Sequence, residues 1–478
     1  MYPSTTAWRL AGASVLAWAA ATTLVSAKPS SFTPTLPKLL EFDDASGRQA
    51  TYDVNGRIDL TNPFFQSLGT NGRACITCHQ PLDGWTVTPA HLRDRFNATR
   101  GLDPIFRTND GSNSPDADVS TVQARRAAYN MLLTKGLIRV GIGVSPAAEF
   151  ELIDADDPYG HASAADLSLF RRPLPATNLG FLATVMWDGR ETFAGQSLPF
   201  DLSDQANSAT LGHAAAAQPL TGAQRAEIVA FETGLFTAQV EDRDAGSLRA
   251  RGAMGGPVAL SAVPFFIGIN DVLGDDFDPR VFTLFDAWLN LPRPRHLDAH
   301  AGAPARDRGP DDDPRDAQCV EARRSIARGE AIFNTRPIAI TGVNGLNNVL
   351  GVPTLQGSCT TCHDTPNAGN HSVSMPLDIG LTTEARRTPD LPLYTFRNKT
   401  TGETVKTTDP GRALITGRWK DMSLFKGPIL RDLATRPPYF HNGSAASLED
   451  VVDFYDTRFA LHLTRQEKGD LVAFLRAL

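Results

Sequence analysis

The chain has 478 residues, 41% of them apolar, and a formal net charge of -7. That length can bury a substantial core and suggests two or three domains. The acidic balance, with no long basic stripe, excludes a nucleic-acid partner.

The first element in chain order is an export segment. Arg9 is the only early charge, an apolar run follows from Leu10 to Val25, and Val25-Ser26-Ala27 precedes Lys28. Residues 1–27 read as a signal peptide cleaved after Ala27, which implies the periplasm. The alternative is an uncleaved anchor, but the run is short for a span of about 20 residues. No later stretch is apolar enough to span a membrane.

Export ordinarily pairs cysteines as disulfides, yet five cysteines leave one unpaired. Four of them belong to a different pattern. Asn62-Pro63-Phe64-Phe65 looks like a helix N-cap with Pro at the first position, leading into Cys75-Ile76-Thr77-Cys78-His79. The same spacing recurs in Cys359-Thr360-Thr361-Cys362-His363. C-x-x-C-H is the attachment signature of c-type haem, and one chance match is expected in only about a thousand chains of this composition. Cysteines three apart lie on one side of a helical turn, so both thiols can form thioethers to one porphyrin while the adjacent imidazole reaches the iron. His79 and His363 are thus the expected proximal ligands, and two covalently bound haem c groups the expected cofactors. The rival reading, one zinc held by two cysteine pairs, has the pairs far apart in the chain and each beside its own histidine.

Residues 291–316 are rich in Pro and charge and read as an interdomain linker. Cys319 follows in a helical stretch, read as a buried inert thiol. Arg328-Gly329-Glu330-Ala331-Ile332-Phe333 opens a helix before the second motif. Ser447-x-x-Asp450 is a plausible helix start, with Val451, Val452, Phe454 and Tyr455 on its apolar face. Thr464-x-x-Glu467 is a capping box for a terminal helix carrying Leu471, Phe474, Leu475 and Leu478 on one face. The expected fold is mainly α: two cytochrome c-like helical haem domains with long loops, at 28–290 and 317–478.

With both motifs placed, further segments resemble the bacterial di-haem cytochrome c peroxidase superfamily, which includes the MauG-type enzymes. They are Met186-Trp187-Asp188-Gly189-Arg190, Leu202-Ser203-Asp204-Gln205-Ala206, Gly411-Arg412, Phe425-Lys426-Gly427-Pro428-Ile429-Leu430-Arg431 and Pro438-Tyr439-Phe440-His441-Asn442-Gly443. The resemblance implies that the first haem is peroxidatic, that the second receives electrons, and that Trp187 lies between them as a charge relay. Two one-electron centres suit a two-electron oxidant such as hydrogen peroxide.

The sequence also departs from the family. The loop histidine that closes the first iron in the peroxidases is replaced by Arg95, with His91 the nearest substitute, and an open iron is expected. Gln205 matches the glutamine above the first haem, but the glutamate ten residues later is Ala215. His213 is the nearest titratable group and the candidate for the proton role; the alternative is a surface or structural histidine. The asparagine of the family's interdomain calcium is Arg172 here, which argues against calcium. Counted from the PYFHNG segment, Tyr455 falls where the peroxidases carry a ligating methionine and the MauG-type enzymes a tyrosine. It is the expected sixth ligand of the second haem, with Met422 as the alternative.

Three functions stay open on the sequence. One is a periplasmic peroxidase reducing hydrogen peroxide with electrons from a small cytochrome or cupredoxin. The others are a MauG-like oxidase acting on a partner protein and a non-catalytic electron-transfer cytochrome.

Overall fold

The computed structural model describes residues 34–292 and 314–478. The expected signal peptide, 1–27, and most of the expected linker, 291–316, lie outside the described residues. No described helix is long and apolar enough to cross a membrane.

The expectation of a mainly α fold is overturned. Among the described residues, thirteen strands in five sheets accompany eleven α-helices, several of them barely one turn long. The largest sheet orders Leu39–Asp43, Gly47–Asp53, Leu235–Asp242 and Gly246–Ser247, each antiparallel to its neighbour. Its inner strands meet through buried Thr51 and Thr237, whose hydroxyls are 2.8 Å apart. These strands are short and bring in partners from far along the chain, so their pairing outweighs weak local patterns. That is why segments read as loops are strands.

A second sheet orders Thr404–Thr407, Leu393–Asn398 and Phe150–Asp156, joining the two halves of the chain. Tyr394 strengthens the join: its hydroxyl accepts from Ser168 N at 2.9 Å and donates to Ser168 O at 2.8 Å.

The largest core forms on the terminal helix, Arg465–Ala477, which Thr464 and Glu467 cap as expected. Leu471, Phe474 and Leu475 are buried along it, each contributing about 1.5–3 kcal/mol. The helix crosses Pro314–Thr335 at Gly329, where a Cβ would lie 2.0 Å from the Asp470 carbonyl. Beside the crossing, Asp470 accepts from Arg328 at 2.8 Å and from Ser325 at 2.6 Å. Phe282, Phe285 and Trp288 join this core, and buried Glu330 accepts from Leu284 N and Phe285 N at 2.9 and 3.0 Å. Residues on both sides of the expected linker therefore share one core.

Two local expectations need adjustment. Arg328–Phe333 lies inside the helix that begins at Pro314 rather than opening one. Asn62 caps as expected, accepting from Phe64 N at 2.9 Å, but the element is one 3-10 turn, Pro63–Phe65. Cys319 sits on the Pro314–Thr335 helix, is only partly buried, and donates from Sγ to Ala245 O at 3.2 Å.

Candidate active site

Each cysteine motif is a single 3-10 turn, Cys75–Thr77 and Cys359–Thr361. Cys75 O accepts from Cys78 N at 3.1 Å and His79 N at 3.0 Å; Cys359 O accepts from Cys362 N at 3.3 Å and His363 N at 3.2 Å. The threonine before the second cysteine closes each turn: Thr77 Oγ1 accepts from Ala74 N, and Thr361 Oγ1 from Ser358 N, both at 3.0 Å. Burial raises the pKa of all four motif thiols, to about 12 at Cys359 and Cys362.

Both imidazoles are oriented by a backbone carbonyl. His79 Nδ1 lies 3.0 Å from Trp85 O, and His363 Nδ1 lies 2.8 Å from Gly369 O. A carbonyl only accepts, so Nδ1 carries the proton and Nε2 is left bare for a metal. Burial pushes His79 down to about 4 and lowers His363 as well, which keeps both rings neutral. Gly369 has φ +73°, and a Cβ there would lie 2.6 Å from the Phe282 ring, so only glycine presents that carbonyl.

His79 and His363 line one continuous cavity of about 2450 Å³, counting its open mouth. Trp187 lines it too, donating from Nε1 to Arg172 O at 2.8 Å. Its ring lies 6.1 Å from that of His441, which stacks on Phe425 at 4.0 Å. Buried Arg171 holds the turn after Trp187 by pairing with Asp188 at 2.5 Å and with Asp409 at 2.7 Å. Arg412 Nη1 reaches Asp188 O at 3.3 Å, and Lys426 N donates to Trp187 O at 2.9 Å. Segments more than two hundred residues apart thus converge on Trp187.

The cavity wall is unusual in its charges. Arg172 and Lys426 are 5% and 7% exposed and form no ion pair with a carboxylate among the described residues. Arg172 donates only to carbonyls, those of Val87, Lys135, Gly136 and Arg436, and Lys426 Nζ only to Thr184 O at 3.0 Å. Burial lowers Lys426 to about 7 and Arg172 to about 10. Buried cations without counter-charges are costly. Haem brings two propionates, so paired thiols, imidazoles with bare Nε2 and uncompensated cations together fit that group.

Tyr455, on the helix Leu448–Phe459, lines the cavity near Cys359 and Cys362, and its hydroxyl bonds to no described residue. Burial raises its pKa, and the two thiols raise it further. Met422 belongs instead to the buried cluster that holds Phe150, Leu414 and Phe396, and it is not among the cavity-lining residues. Gln205, on the helix Leu198–Gly212, lines the cavity. His213 caps that helix with its side chain 39% exposed and Nδ1 against Asp110, and it is not among the cavity-lining residues. His91 is also outside the lining, held to Asp83 at 2.5 Å. Arg95 donates to Thr77 O at 2.8 Å and so braces the first turn.

One buried residue was missed by the sequence reading. Glu232 lines the cavity at 5% exposure, and burial alone raises its pKa to about 8. The available signal was a carboxylate on the apolar face made by Ile228, Val229 and Phe231.

No family model matches the chain. It is 32% identical over 143 residues to the cytochrome-c peroxidase IdrP1 of Pseudomonas sp. strain SCT, covering 26% of this chain and 37% of that protein. It is 33% identical over 133 residues to the cytochrome-c peroxidase IdrP2 of Denitromonas iodatirespirans, covering 26% and 36%. A cytochrome c551 peroxidase of Nitrosomonas europaea is 40% identical over 72 residues, 14% of this chain and 21% of its own. The matches thus span between 21% and 37% of these relatives' length. A solved MauG-like protein associated with microbial copper homeostasis covers 87% of this chain and 86% of its own at 16% identity and a TM-score of 0.39. Over these stretches the chain is similar to bacterial cytochrome c peroxidases, as the sequence motifs led one to expect.

Proposed function

We propose that the chain is an exported di-haem c-type peroxidase that reduces hydrogen peroxide to water with electrons from a small cytochrome or cupredoxin. The carrying observation is that two identically built C-x-x-C-H turns each leave a bare imidazole Nε2 on one shared cavity. Haem c, when bound, supplies a one-electron redox centre at each turn. Cys75 and Cys78 would hold one group and Cys359 and Cys362 the other, with His79 and His363 as ligands. Arg172 and Lys426 would bind carboxylates, and the apolar wall would exclude water. Trp187 presents a large polarisable indole, whose N–H is spent on a carbonyl, as the relay within the same cavity. On this reading residues 28–290 form the peroxidatic unit and 317–478 the electron-receiving one.

Tyr455 favours a second reading. A phenolate on the second iron stabilises its oxidised forms, as a MauG-like oxidase acting on a partner protein requires, whereas methionine favours the ferrous form. Purified mature protein decides between them. Mass spectrometry should find two covalent haems, and peroxide should be consumed at a rate set by a reduced small cytochrome. Two haems without donor-dependent peroxide consumption would favour the oxidase, and fewer than two haems would refute both.

A further inference from the structure

We propose that Glu232 is the proton-carrying carboxyl of the first site, an assignment that rests on the peroxidase reading above. Glu232 lies on the helix Gly222–Gly234, directly after Phe231, whose ring packs 4.9 Å from Phe64. Phe64 in turn lies 6.1 Å from the His79 ring, so this helix forms the wall beside the first motif. Glu232 is 5% exposed, its Oε2 is buried without a partner among the described residues, and the residue lines the cavity that His79 and Gln205 also line.

The neighbouring helix, Leu198–Gly212, puts Gln205 on the facing stripe. Leu202 and Val229 belong to one buried cluster and Ala206, Ile228 and Phe231 to another, so the two helices share cores on either side of Gln205 and Glu232, which both line the cavity. The acidic groups on that helix face elsewhere: Asp201 accepts from Phe193 N at 3.2 Å, and Asp204 lies near Glu191, whose pKa its charge raises after burial. Burial and, after it, the Glu232 charge raise the pKa of the Cys75 thiol, which places the carboxyl near the first motif. A position that only had to pack would carry leucine, because a buried carboxyl without partners is costly. Such a group facing a reaction cavity is suited to proton transfer. His213, by contrast, commits Nδ1 to Asp110 and has its side chain 39% exposed.

The protonated carboxyl gives its proton to one peroxide oxygen and takes the proton of the other. The O–O bond breaks with its electron pair on the protonated oxygen, which leaves as water. In the same step two electrons, which haems held at His79 and His363 would supply and the reduced donor protein would restore, pass to the other oxygen, which takes up two protons from solvent and leaves as the second water.

The test compares wild type, Glu232→Gln, Glu232→Asp and His213→Ala, all checked for two bound haems. Glu232→Gln should lower kcat at least a hundredfold with KM for peroxide little changed, Glu232→Asp should recover part of the loss, and His213→Ala should stay within threefold of wild type. Independently of turnover, infrared spectroscopy of the wild type at neutral pH should show the carbonyl band of a protonated carboxyl that disappears in Glu232→Gln. Wild-type turnover in Glu232→Gln, or an infrared spectrum it leaves unchanged, overturns this assignment alone. A wild type that does not consume peroxide overturns the peroxidase reading and this assignment together.

Discussion

The two C-x-x-C-H turns share the same backbone hydrogen bonds, the same closing threonine and the same carbonyl-bound imidazole, and they differ in what else faces the cavity. Tyr455 lies near Cys359 and Cys362 with its hydroxyl bonded to no described residue. Near the first turn, His91 is drawn away to Asp83, and Gln205 and Glu232 line the cavity instead. A local turn can fix a cofactor's attachment. The chemistry at each centre depends on helices brought in from elsewhere: Leu448–Phe459 carries Tyr455, and Gly222–Gly234 carries Glu232.

The most drastic way to break this comparison is to remove one anchor pair at a time. Cys75→Ala with Cys78→Ala should abolish peroxide turnover while one covalent haem remains, and Cys359→Ala with Cys362→Ala should abolish donor oxidation. Protein mass and donor-dependent turnover check both; a double variant that kept two haems would contradict the assignment. Next in size, Trp187→Phe keeps an aromatic of similar shape and should lower turnover at least tenfold, equivalent to about 1.4 kcal/mol of barrier. Unchanged turnover, with the same spectral change at the second haem after peroxide, would remove Trp187 from the relay.

Tyr455→Phe sharpens the comparison from the other side. It should change the spin state and raise the potential of the second haem only, leaving the first haem's spectrum as in wild type; potentiometric titration with optical detection separates the two. The smallest effect concerns His91. Its hydrogen bond to the Asp83 carboxylate raises its pKa in the folded protein, more than burial lowers it. The folded state therefore binds that proton more tightly than the unfolded chain. The resulting stability is fully present below the unfolded histidine's pKa and is lost as pH rises through the raised folded value. His91→Ala should flatten that part of the Tm-against-pH curve slightly, because the ring is 44% exposed and solvent screens the pair.

The contrast between the turns also marks what could be read in advance. The motif turns, the caps at Ser447 and Thr464, and the helices they begin each depend on residues three or four apart, so local spacing was sufficient to find them. The N-cap at Asn62 was legible for the same reason, although nothing local indicated that its helix would stop after one turn. The strands were not legible. Phe150–Asp156 finds its partner in Leu393–Asn398, and Gly47–Asp53 finds one in Leu235–Asp242, pairings that no local window contains. A mainly α reading followed from weighting the motifs that could be seen.

By itself, the sequence determined the two attachment turns, the histidine beside each, and the resemblance carried by segments such as Trp187-Asp188-Gly189-Arg190, because these features are contiguous along the chain. Only the tertiary structure decided that Arg171 ties Asp188 to Asp409, that Arg172 and Lys426 are buried with no ion pair among the described residues, and that Glu232 rather than His213 lines the cavity. Burial and charge compensation are set by every segment that packs around a side chain, and those segments are distant in sequence.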